Sequence, residues 1–542
     1  MEDVSRRRVL QGLAVSTGLV LTGTHPTMAG ASPAAAERAG RIAGPGTRPD
    51  PSKPEGADLL PQIDHIVIYM QENHSYDSYF GTYTRGDGYT MVGGKPTNSA
   101  KDPKGNTVPV FRSTETCQTG RGVSQSWDQT HLQIDGGAMD GWLNNDNTNA
   151  MKYWDGGHLP FYWSLADHFP LCDRWFGSAP CQTYPNRMYL QAATSQGLVS
   201  TDTTKALNLP HPKGGTIWDK LNAFGISWRD YALDLPDIAL FPKTWNANKD
   251  KVRTIGDFLA DCESGDLPSV SIVSPGVASY TEENPADVQL GEKYSAMLIN
   301  AVMASPKWGR TLMVFTYDEH GGYYDHVAPP AAITPDDIPP DIDPKTDQPG
   351  RFDIYGPRVP GFVISPYSRP GYTSSVVHDH TSILRLVETK FNLGALTRRD
   401  ANASNLLDCL DLDNPPAFAT PPTLANPGLP ASGSTCENTP WPPKLVRSAA
   451  AAPETTTTAP PTTTAGSPDT SSGSGEVGDV GAYPTQPGEL ARTGSQHERL
   501  ALLGLTLLAA GGAAMAAQHR LDAQPATVPV DQPTQPSDPF EA

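Results

Sequence analysis

Two short polar motifs follow apolar runs in this sequence, and their side chains are of the kind that holds a cation. Glu72 and Asn73 come shortly after IDHIVIY, and Asp318 and Glu319 come directly after TLMVFTY. Neighbouring carboxylates repel each other unless a cation or a proton lies between them. Oxygen ligands suit Ca²⁺, Mg²⁺ or Mn²⁺, and zinc also accepts carboxylates. The motifs therefore predict a site for one divalent metal ion, with solvated turns as the alternative.

Thr183 stands two residues before a proline at the start of a helical pattern, in CQTYPNRMYLQ. Proline is favoured in the first helical turn and threonine is a good N-cap, so the simplest interpretation is that Thr183 caps a helix. The alternative is chemical. A helix N-terminus offers free N–H groups to an anion, and a threonine hydroxyl activated by a metal can attack phosphorus. The spacing leaves both interpretations open.

Three histidines lie in or near polar motifs of this kind. His131 stands in WDQTHLQIDGGAMDGW, and His320 and His326 flank the glycine pair after Glu319. A single histidine more often makes a structural hydrogen bond than it takes part in catalysis. Their position beside acidic motifs nevertheless favours a role in binding phosphate, because imidazole changes its charge near neutral pH.

The elements that would position these residues alternate along the chain. Apolar, β-branched runs predict strands, and the segments between them have helical spacing. The predicted strands are 63–69, 269–273, 311–317 and 359–365, and the predicted helices include 291–305 and 380–393. Alternation of this kind predicts an α/β fold with a mainly parallel sheet, in which ligands lie beyond the carboxyl ends of the strands. Long loops at 81–125 and 327–358 are expected to cover that edge.

The composition limits the partners of the protein. The chain has 542 residues, of which 40 are basic and 59 acidic. An acidic protein is a poor partner for nucleic acid, because phosphate backbones favour basic surfaces. Six cysteines are compatible with disulfides in an oxidising compartment, although the sequence does not give their pairing. The absence of a CxxC pair argues against a structural zinc site.

The chain ends have the composition of export and anchoring segments. Residues 1–31 contain SRRRVLQGLAVSTGLVLTG, which resembles a twin-arginine signal peptide. A Thr/Pro/Ser-rich linker is predicted at 449–489, because such a tract cannot bury a core. LARTG and an apolar run follow within 490–520, and a polar tail occupies 521–542. This order predicts either a sortase signal or a membrane anchor, and therefore an exported protein tethered at the cell surface.

Several motifs in the globular part, predicted as one catalytic domain over 58–430, resemble a known family. ENHSYDSYFG, TYPNR, YDEHGGYYDHVAPP and ISPYSRPGYTSSVVHDHTSILRLVE are similar, in this order, to signatures of the bacterial phosphoesterase family. That family contains phospholipases C and an acid phosphatase, and the resemblance covers about residues 60–395. It implies an alkaline-phosphatase-like three-layer α/β/α fold.

The resemblance also implies roles for individual residues. Thr183 would be the nucleophile, His131 would hold the phosphoryl oxygens, and His320 and His326 are further candidates for substrate binding. The implied metal ligands are Glu72, Asn73, Thr183, Asp318 and Glu319. The expected activity is hydrolysis of a phospholipid by a phospholipase C. The alternatives are an acid phosphatase that acts on phosphomonoesters and a non-catalytic binding protein on the same scaffold.

Two positions depart from the family pattern. His74 stands where the first signature usually has arginine. Asn284, in TEENPADVQ, stands where the family usually has the histidine of an EHP motif. An amide donates a hydrogen bond but cannot deliver a proton near neutral pH, so this replacement predicts weaker general-acid catalysis unless another residue substitutes.

Overall fold

The computed structural model describes residues 42–118, 122–276, 280–428, 436 and 441–448. The predicted signal peptide (1–31), linker (449–489), anchor (490–520) and tail (521–542) lie outside these ranges. Within the described ranges, no helix combines the length and the apolar character needed to cross a membrane.

A sheet of eight strands forms the centre of the fold. In chain order its strands are β1 His65–Gln71, β2 Leu171–Cys172, β3 Trp228–Ala232, β4 Val252–Thr254, β5 Val270–Ser274, β6 Thr311–Tyr317, β7 Gly361–Ile364 and β8 Thr373–Ser374. The spatial order is β4-β3-β5-β1-β6-β7-β2-β8. Only β7 runs antiparallel to its neighbours, β6 and β2. The predicted mainly parallel sheet is therefore confirmed, and β6 is buried along its whole length, as expected for a central parallel strand.

Eleven α-helices are described around this sheet. They are α1 Tyr76–Phe80, α2 Trp127–Ile134, α3 Pro160–His168, α4 Thr183–Ala192, α5 Thr203–Asn208, α6 Ile217–Ala223, α7 Pro242–Ala247, α8 Ile255–Ser264, α9 Val288–Ala304, α10 His380–Phe391 and α11 Arg398–Ala401. Helices α3, α8 and α9 pack in one group, and α4, α6, α10 and α11 pack in another.

The end of β6 shows how these two groups cover opposite faces of the sheet. Successive side chains of a strand point to opposite faces. The Tyr317 hydroxyl points toward Glu282, which also accepts a hydrogen bond from Tyr162 of α3. The next side chain, Asp318, instead meets Arg187 of α4. The chain therefore forms the three-layer α/β/α architecture that the sequence predicts.

The buried carboxylate of Glu282 joins two helices and one strand of the central sheet. Glu282 accepts hydrogen bonds from the hydroxyls of Tyr79 in α1 (2.5 Å), Tyr162 in α3 (2.5 Å) and Tyr317 in β6 (2.9 Å). Burial raises the pKa of the Glu282 carboxyl to about 7, although the three hydroxyls act in the opposite direction.

One disulfide is described, between Cys117 and Cys436, which are 319 positions apart in the sequence. The remaining four cysteines are buried free thiols, namely Cys172, Cys181, Cys262 and Cys409. The disulfide fixes a residue near the C-terminal end of the described chain to the loop before α2. Trp441, also near the C-terminal end of the described chain, packs against Tyr280, and the two ring centroids are 6.1 Å apart.

Candidate active site

The carboxylates predicted at the two strand ends lie together in the structure. Strands β1 and β6 pair in parallel with Gln71 opposite Tyr317, so Glu72 and Asp318 leave the sheet side by side. Asp318 Oδ1 accepts hydrogen bonds from the backbone N–H of Asn73 (3.1 Å) and of Glu319 (2.8 Å). These two bonds fix the turn after each strand. We refer to Glu72, Glu283, Asp318 and Glu319 as the acidic cluster.

Asn73 adopts a backbone conformation that the neighbouring chain stabilises. Its φ angle is 68°, in the left-handed region that asparagine tolerates better than most residues. Gly321 packs against its carbonyl so closely that a Cβ at position 321 would lie 2.0 Å from that oxygen. The glycine after Glu319 is therefore needed for the two strand ends to approach each other.

Arg187 of α4 lies within the acidic cluster, and the sequence analysis gave it no role. Its guanidinium lies 3.5 Å from Glu72 Oε1, 3.3 Å from Asp318 Oδ2 and 3.1 Å from Asp237 Oδ1. Arg187 therefore supplies part of the positive charge that these carboxylates need. One guanidinium cannot balance all of them when they are ionised, so the ionised cluster would carry an excess of negative charge. Its signal in the sequence is the helical spacing, because Arg187 follows Thr183 by one turn.

Burial controls the protonation of the acidic cluster. It raises the pKa of the Glu72 carboxyl well above its usual range, and Arg187 opposes this shift. It raises the pKa of Asp318 in the same way, again against Arg187. Burial and then the charge of Asp318 raise the pKa of Glu319. A cation that neutralised these groups would remove the cost of keeping them ionised.

Glu283 is a further carboxylate that the sequence analysis missed. Burial, followed by the charge of Asp318, raises the pKa of Glu283 to about 7. The backbone N–H of Glu283 donates to the Thr281 hydroxyl (3.1 Å), and that hydroxyl donates to Glu72 Oε2 (2.6 Å). Glu283 comes directly before Asn284, so the family resemblance at that segment was the signal that could have indicated it.

Two oxygens of the predicted metal ligands lack a hydrogen-bond partner. Asn73 Oδ1 and Glu319 Oε1 are both buried, and neither accepts a hydrogen bond from any residue that the structure describes. A buried acceptor without a partner costs free energy, and a hard cation would satisfy both atoms. This donor set therefore fits the predicted divalent ion.

Thr183 is the first residue of α4, and Gln182 precedes it as the N-cap. The Thr183 side chain is buried at 7% exposure, and its hydroxyl makes no hydrogen bond within the described part of the chain. The interpretation of Thr183 as a helix cap is therefore wrong, since a cap would accept from a backbone N–H. The hydroxyl is left free for another role, one helical turn from Arg187.

His320 lies against the acidic cluster, and its role in substrate binding stays a prediction. Its Nε2 is 2.9 Å from Gln133 Oε1, and Gln133 donates through Nε2 to the Ser124 carbonyl, so Gln133 Oε1 accepts from the imidazole. The other ring nitrogen, Nδ1, then faces Glu319 Oε2 at 3.2 Å. Burial lowers the pKa of His320 to about 3, and burial followed by the charge of Asp318 raises the pKa of Glu319.

His131 lies on α2 and contacts Trp127 and Gly350, which are outside the acidic cluster. Its Nδ1 donates to the Trp127 carbonyl at 2.7 Å, and the two rings pack with centroids 4.2 Å apart. Its Nε2 is buried next to Gly350 and has no hydrogen-bond partner among the residues described. Burial lowers the pKa of His131. A role in holding the phosphoryl oxygens stays a prediction, and it requires the imidazolium form.

His326 belongs to a second buried cluster of charges. Its Nδ1 lies 2.6 Å from Asp77 Oδ2, and Arg358 pairs with Asp77 Oδ1 (2.9 Å) and Asp325 Oδ1 (3.0 Å). The ligand atoms of Asp77, Asp325 and His326 are close enough to hold a metal ion. However, Arg358 pairs with both carboxylates and His326 pairs with Asp77, which is typical of a structural ion-pair network. Substrate binding by His326 also stays a prediction.

The two departures from the family pattern have structural partners. The His74 ring stacks between Tyr79 and Tyr323, with centroids 4.2 and 4.6 Å apart, and burial lowers its pKa to about 3. Asn284 donates through Nδ2 to the Tyr323 hydroxyl at 2.9 Å. Both side chains therefore act in the packing around Tyr323.

Comparison with known proteins identifies the class of protein that this fold and this site define. A model of the phosphoesterase family matches residues 63–394. The chain therefore belongs to the phosphoesterase family, and the predicted resemblance is confirmed. The protein is a hydrolase that acts on phosphoric ester bonds.

Several relatives of the chain, from bacteria and plants, are named phospholipase C. Phospholipase C A of Mycobacterium tuberculosis (strain ATCC 25618 / H37Rv) is 32% identical over 435 residues, which cover 68% of this chain and 80% of the relative. Non-hemolytic phospholipase C of Pseudomonas aeruginosa is 32% identical over 428 residues, which cover 68% and 59%. Non-specific phospholipase C4 of Arabidopsis thaliana is 31% identical over 425 residues, which cover 67% and 74%.

Solved structures give weaker matches. A protein of the alkaline phosphatase superfamily from Vibrio parahaemolyticus has a TM-score of 0.30 at 11% identity, covering 61% of this chain and 77% of that one. The lipoteichoic acid synthase LtaP from Listeria monocytogenes has a TM-score of 0.29 at 10% identity, covering 64% and 77%.

Proposed function

We propose that this protein is a metal-dependent phospholipase C that uses Thr183 as its nucleophile. It would hydrolyse a phospholipid to diacylglycerol and a phosphorylated head group. The observation that carries this proposal is the free Thr183 hydroxyl at the start of α4, one turn from the arginine that binds Glu72 and Asp318. Relatives named phospholipase C that match about two thirds of the chain support the choice of substrate.

The metal in this proposal is one divalent ion of the Ca²⁺, Mg²⁺, Mn²⁺ or Zn²⁺ type. The unpartnered oxygens of Asn73 and Glu319 support its place in the acidic cluster. The residues that would hold it are Glu72, Asn73, Thr183, Asp318 and Glu319. When bound, such an ion stabilises negative charge on the phosphoryl oxygens and favours the ionised form of a nearby hydroxyl.

The residues of the chain itself account for the remaining chemistry. The first N–H groups of α4 have no helical partner, so they can donate hydrogen bonds to the phosphoryl group of a substrate beside Thr183. In the first step, a bond forms between Thr183 Oγ1 and phosphorus, the bond to the diacylglycerol oxygen breaks, and the proton lost by the Thr183 hydroxyl ends on that oxygen. In the second step, water attacks phosphorus, the bond between Thr183 Oγ1 and phosphorus breaks, and a proton from the water restores the Thr183 hydroxyl. Arg187 orients Glu72 and Asp318 throughout.

A substrate panel on the purified protein tests this function. We expect release of phosphocholine from phosphatidylcholine, and we expect Thr183→Ala to abolish that release. Release of phosphate from soluble monoesters, without release of phosphocholine, would instead identify an acid phosphatase. A protein that binds phospholipid vesicles but hydrolyses neither substrate would be a binding protein on this scaffold.

We further propose that the enzyme is exported and held at the cell surface. The sequence of residues 1–31 and of 449–520 supports this, through the twin-arginine motif, the linker and the apolar run after LARTG. A sortase or the membrane itself would then be the partner of the C-terminal segment.

A further inference from the structure

A second group of potential ligands lies at the β2–β8 edge of the sheet. It consists of Cys172 at the end of β2, His378 in the loop before α10 and Cys409 in the 3₁₀ turn Leu407–Cys409, whose ligand atoms all lie within 4.8 Å of one another, together with Asp408 beside His378. We call these four residues the thiol cluster. Both thiols are fully buried, and His378 is 1% exposed. The acidic cluster, by contrast, lies at the ends of β1 and β6.

The distances in the thiol cluster match tetrahedral coordination. Cys172 Sγ and Cys409 Sγ are 3.9 Å apart, and His378 Nε2 lies 3.5 Å from Asp408 Oδ1. Two sulfurs that each lie about 2.3 Å from a tetrahedral zinc ion are about 3.8 Å apart. A nitrogen and an oxygen at about 2.0–2.1 Å from the same ion are about 3.4 Å apart. The sulfur separation, and the mutual distances within 4.8 Å among the ligand atoms of Cys172, His378 and Cys409, therefore leave room for one ion between these three groups.

The hydrogen bonds around His378 direct a lone pair toward this centre. Ser404 Oγ donates to the Val377 carbonyl at 2.8 Å, so it accepts from His378 Nδ1–H at 2.6 Å. Nε2 then carries the lone pair. The nearest hydroxyl, that of Ser374, lies 3.2 Å from Nε2 but donates to Asp408 Oδ2 at 2.5 Å. A lone pair and a carboxylate oxygen face each other and repel, unless a proton or a cation lies between them, and the two neighbouring thiols make the centre suitable for a metal cation.

We propose that Cys172, His378 and Cys409 form a structural zinc site, with Asp408 beside His378 as the candidate for the fourth ligand. Two thiolates and an imidazole are ligands that zinc accepts, whereas Ca²⁺ and Mg²⁺ prefer oxygen. The two thiols and the imidazole are almost wholly buried, as in a structural rather than a catalytic zinc site. It would tie the sheet edge to the turn that follows α11. Its two thiols are 237 positions apart in the sequence, so the site contains no CxxC motif from which it could have been predicted.

Zinc binding at this site has a defined proton balance. The Cys409 thiol, followed by burial, raises the pKa of Cys172, which favours the thiol form of Cys172 when no ion is bound. Binding of Zn²⁺ forms two zinc–sulfur bonds and releases one proton from each thiol. The Asp408 side chain is 25% exposed, which gives the ion and the protons a path to solvent.

Cobalt substitution of the full-length protein tests the proposal. We expect about one equivalent of zinc at this site per chain in the purified protein. After chelation and addition of Co²⁺, we expect a thiolate-to-cobalt charge-transfer band. Cys172→Ser and Cys409→Ser should remove the band, with a loss of affinity beyond the roughly 10–100-fold typical of an outer-shell change. The predicted ligands of the active site are all oxygens, so a metal bound there gives no such band.

Two matched variants serve as controls. Cys262→Ser removes a buried free thiol outside the cluster, and Cys181→Ser removes the thiol near Glu319, so both should keep the band. Loss of the band in either control would overturn the assignment. So would wild-type protein that contains a Cys172–Cys409 disulfide, or folded wild-type protein that shows no zinc and no charge-transfer band. The wild-type measurements decide the question even if a cysteine variant does not fold.

Discussion

Arg187 explains how so many carboxylates can be buried together at one sheet edge. A buried carboxylate without compensation is costly, and the guanidinium contacts three of them, Glu72, Asp237 and Asp318. It does so from the helix that begins with Thr183, so one element supplies both the proposed nucleophile and the orienting cation. Its position also leaves Glu319 without a direct cationic partner among the described residues, since the contacts of that carboxylate are Gly321 and His320.

At the level of a single side chain, Thr183→Val tests the nucleophile more sharply than alanine does. Valine keeps the size and the β-branch but lacks the hydroxyl, which makes no hydrogen bond with the described residues. We expect turnover of phosphatidylcholine to fall by about 10³-fold or more, with an unfolding free energy within about 1 kcal/mol of wild type. Thr183→Ser, which keeps a hydroxyl, serves as the control and should retain measurable turnover. Activity of the valine variant near that of wild type would exclude Thr183 as the nucleophile.

At the level of elements, the parallel pairing of β1 and β6 places two ligand-bearing turns at one edge, and metal removal tests this arrangement. We expect chelation to abolish activity and a divalent cation to restore it. Glu319→Gln should lower the metal content, because Glu319 Oε1 has no partner in the described structure apart from the proposed ion. Glu263→Gln makes the same chemical change on the surface and should leave the metal content unchanged. Active protein that contains no stoichiometric metal by elemental analysis contradicts the prediction.

The carboxylate that joins α1, α3 and β6 gives a pH dependence of stability. Burial raises the pKa of Glu282 from 4.5 to about 7, so between these values the folded protein holds a proton that the unfolded chain loses. This contribution to stability is complete below about pH 4.5 and is lost as pH rises through about 7, by roughly 3 kcal/mol in total. Glu282→Gln cannot ionise, so its unfolding free energy should decline less between pH 5 and pH 8.

Urea unfolding of both proteins at several pH values measures that difference. Every other titrating group is shared, so subtracting the two curves isolates Glu282. Parallel curves for wild type and variant would show that Glu282 is ionised throughout this range, held in that form by its three tyrosine donors.

A sequence predicts best those strands and helices whose buried apolar residues follow each other with a regular local spacing. The run TLMVFTY predicts a strand at 311–317, and these are the bounds of β6 in the structure. The helix predicted at 291–305 corresponds to Val288–Ala304. The edge strands β2 and β8 have two residues each and leave no periodic signal, because distant pairing defines them. The strand ends likewise indicated Glu72 and Asp318. Arg187 and Glu283 were not found, because their roles depend on where α4 and the segment before α9 pack.

At the scale of the whole molecule, the terminal segments carry the predictions about location. Deletion of 490–542 should move the activity from the cell surface to the medium, because the LARTG motif and the apolar run lie within it. The assay compares phosphatidylcholine hydrolysis in washed cells and in the culture supernatant. Activity that remains bound to cells after the deletion would show that another part of the chain holds it.

A point substitution separates the two kinds of anchor. Thr493→Ala changes the LARTG motif and keeps the apolar run. A sortase substrate would lose its covalent link to the wall and appear in the medium, whereas a membrane-anchored protein would stay in the membrane fraction. Retention in the wall fraction despite this change would contradict the sortase interpretation.

The position of β1 has a consequence for the order in which the protein folds. This first strand of the sheet lies in its middle, where Ile66 pairs with both Val270 and Leu312. During synthesis, β1 therefore has no strand to pair with until most of the domain, including β5 and β6, has left the ribosome. Contacts so distant in sequence form slowly, and an unpaired apolar strand is prone to aggregate meanwhile. We therefore expect nascent chains that end before residue 270 to depend on chaperones, and hydrolytic competence to arise only after Glu319 has emerged.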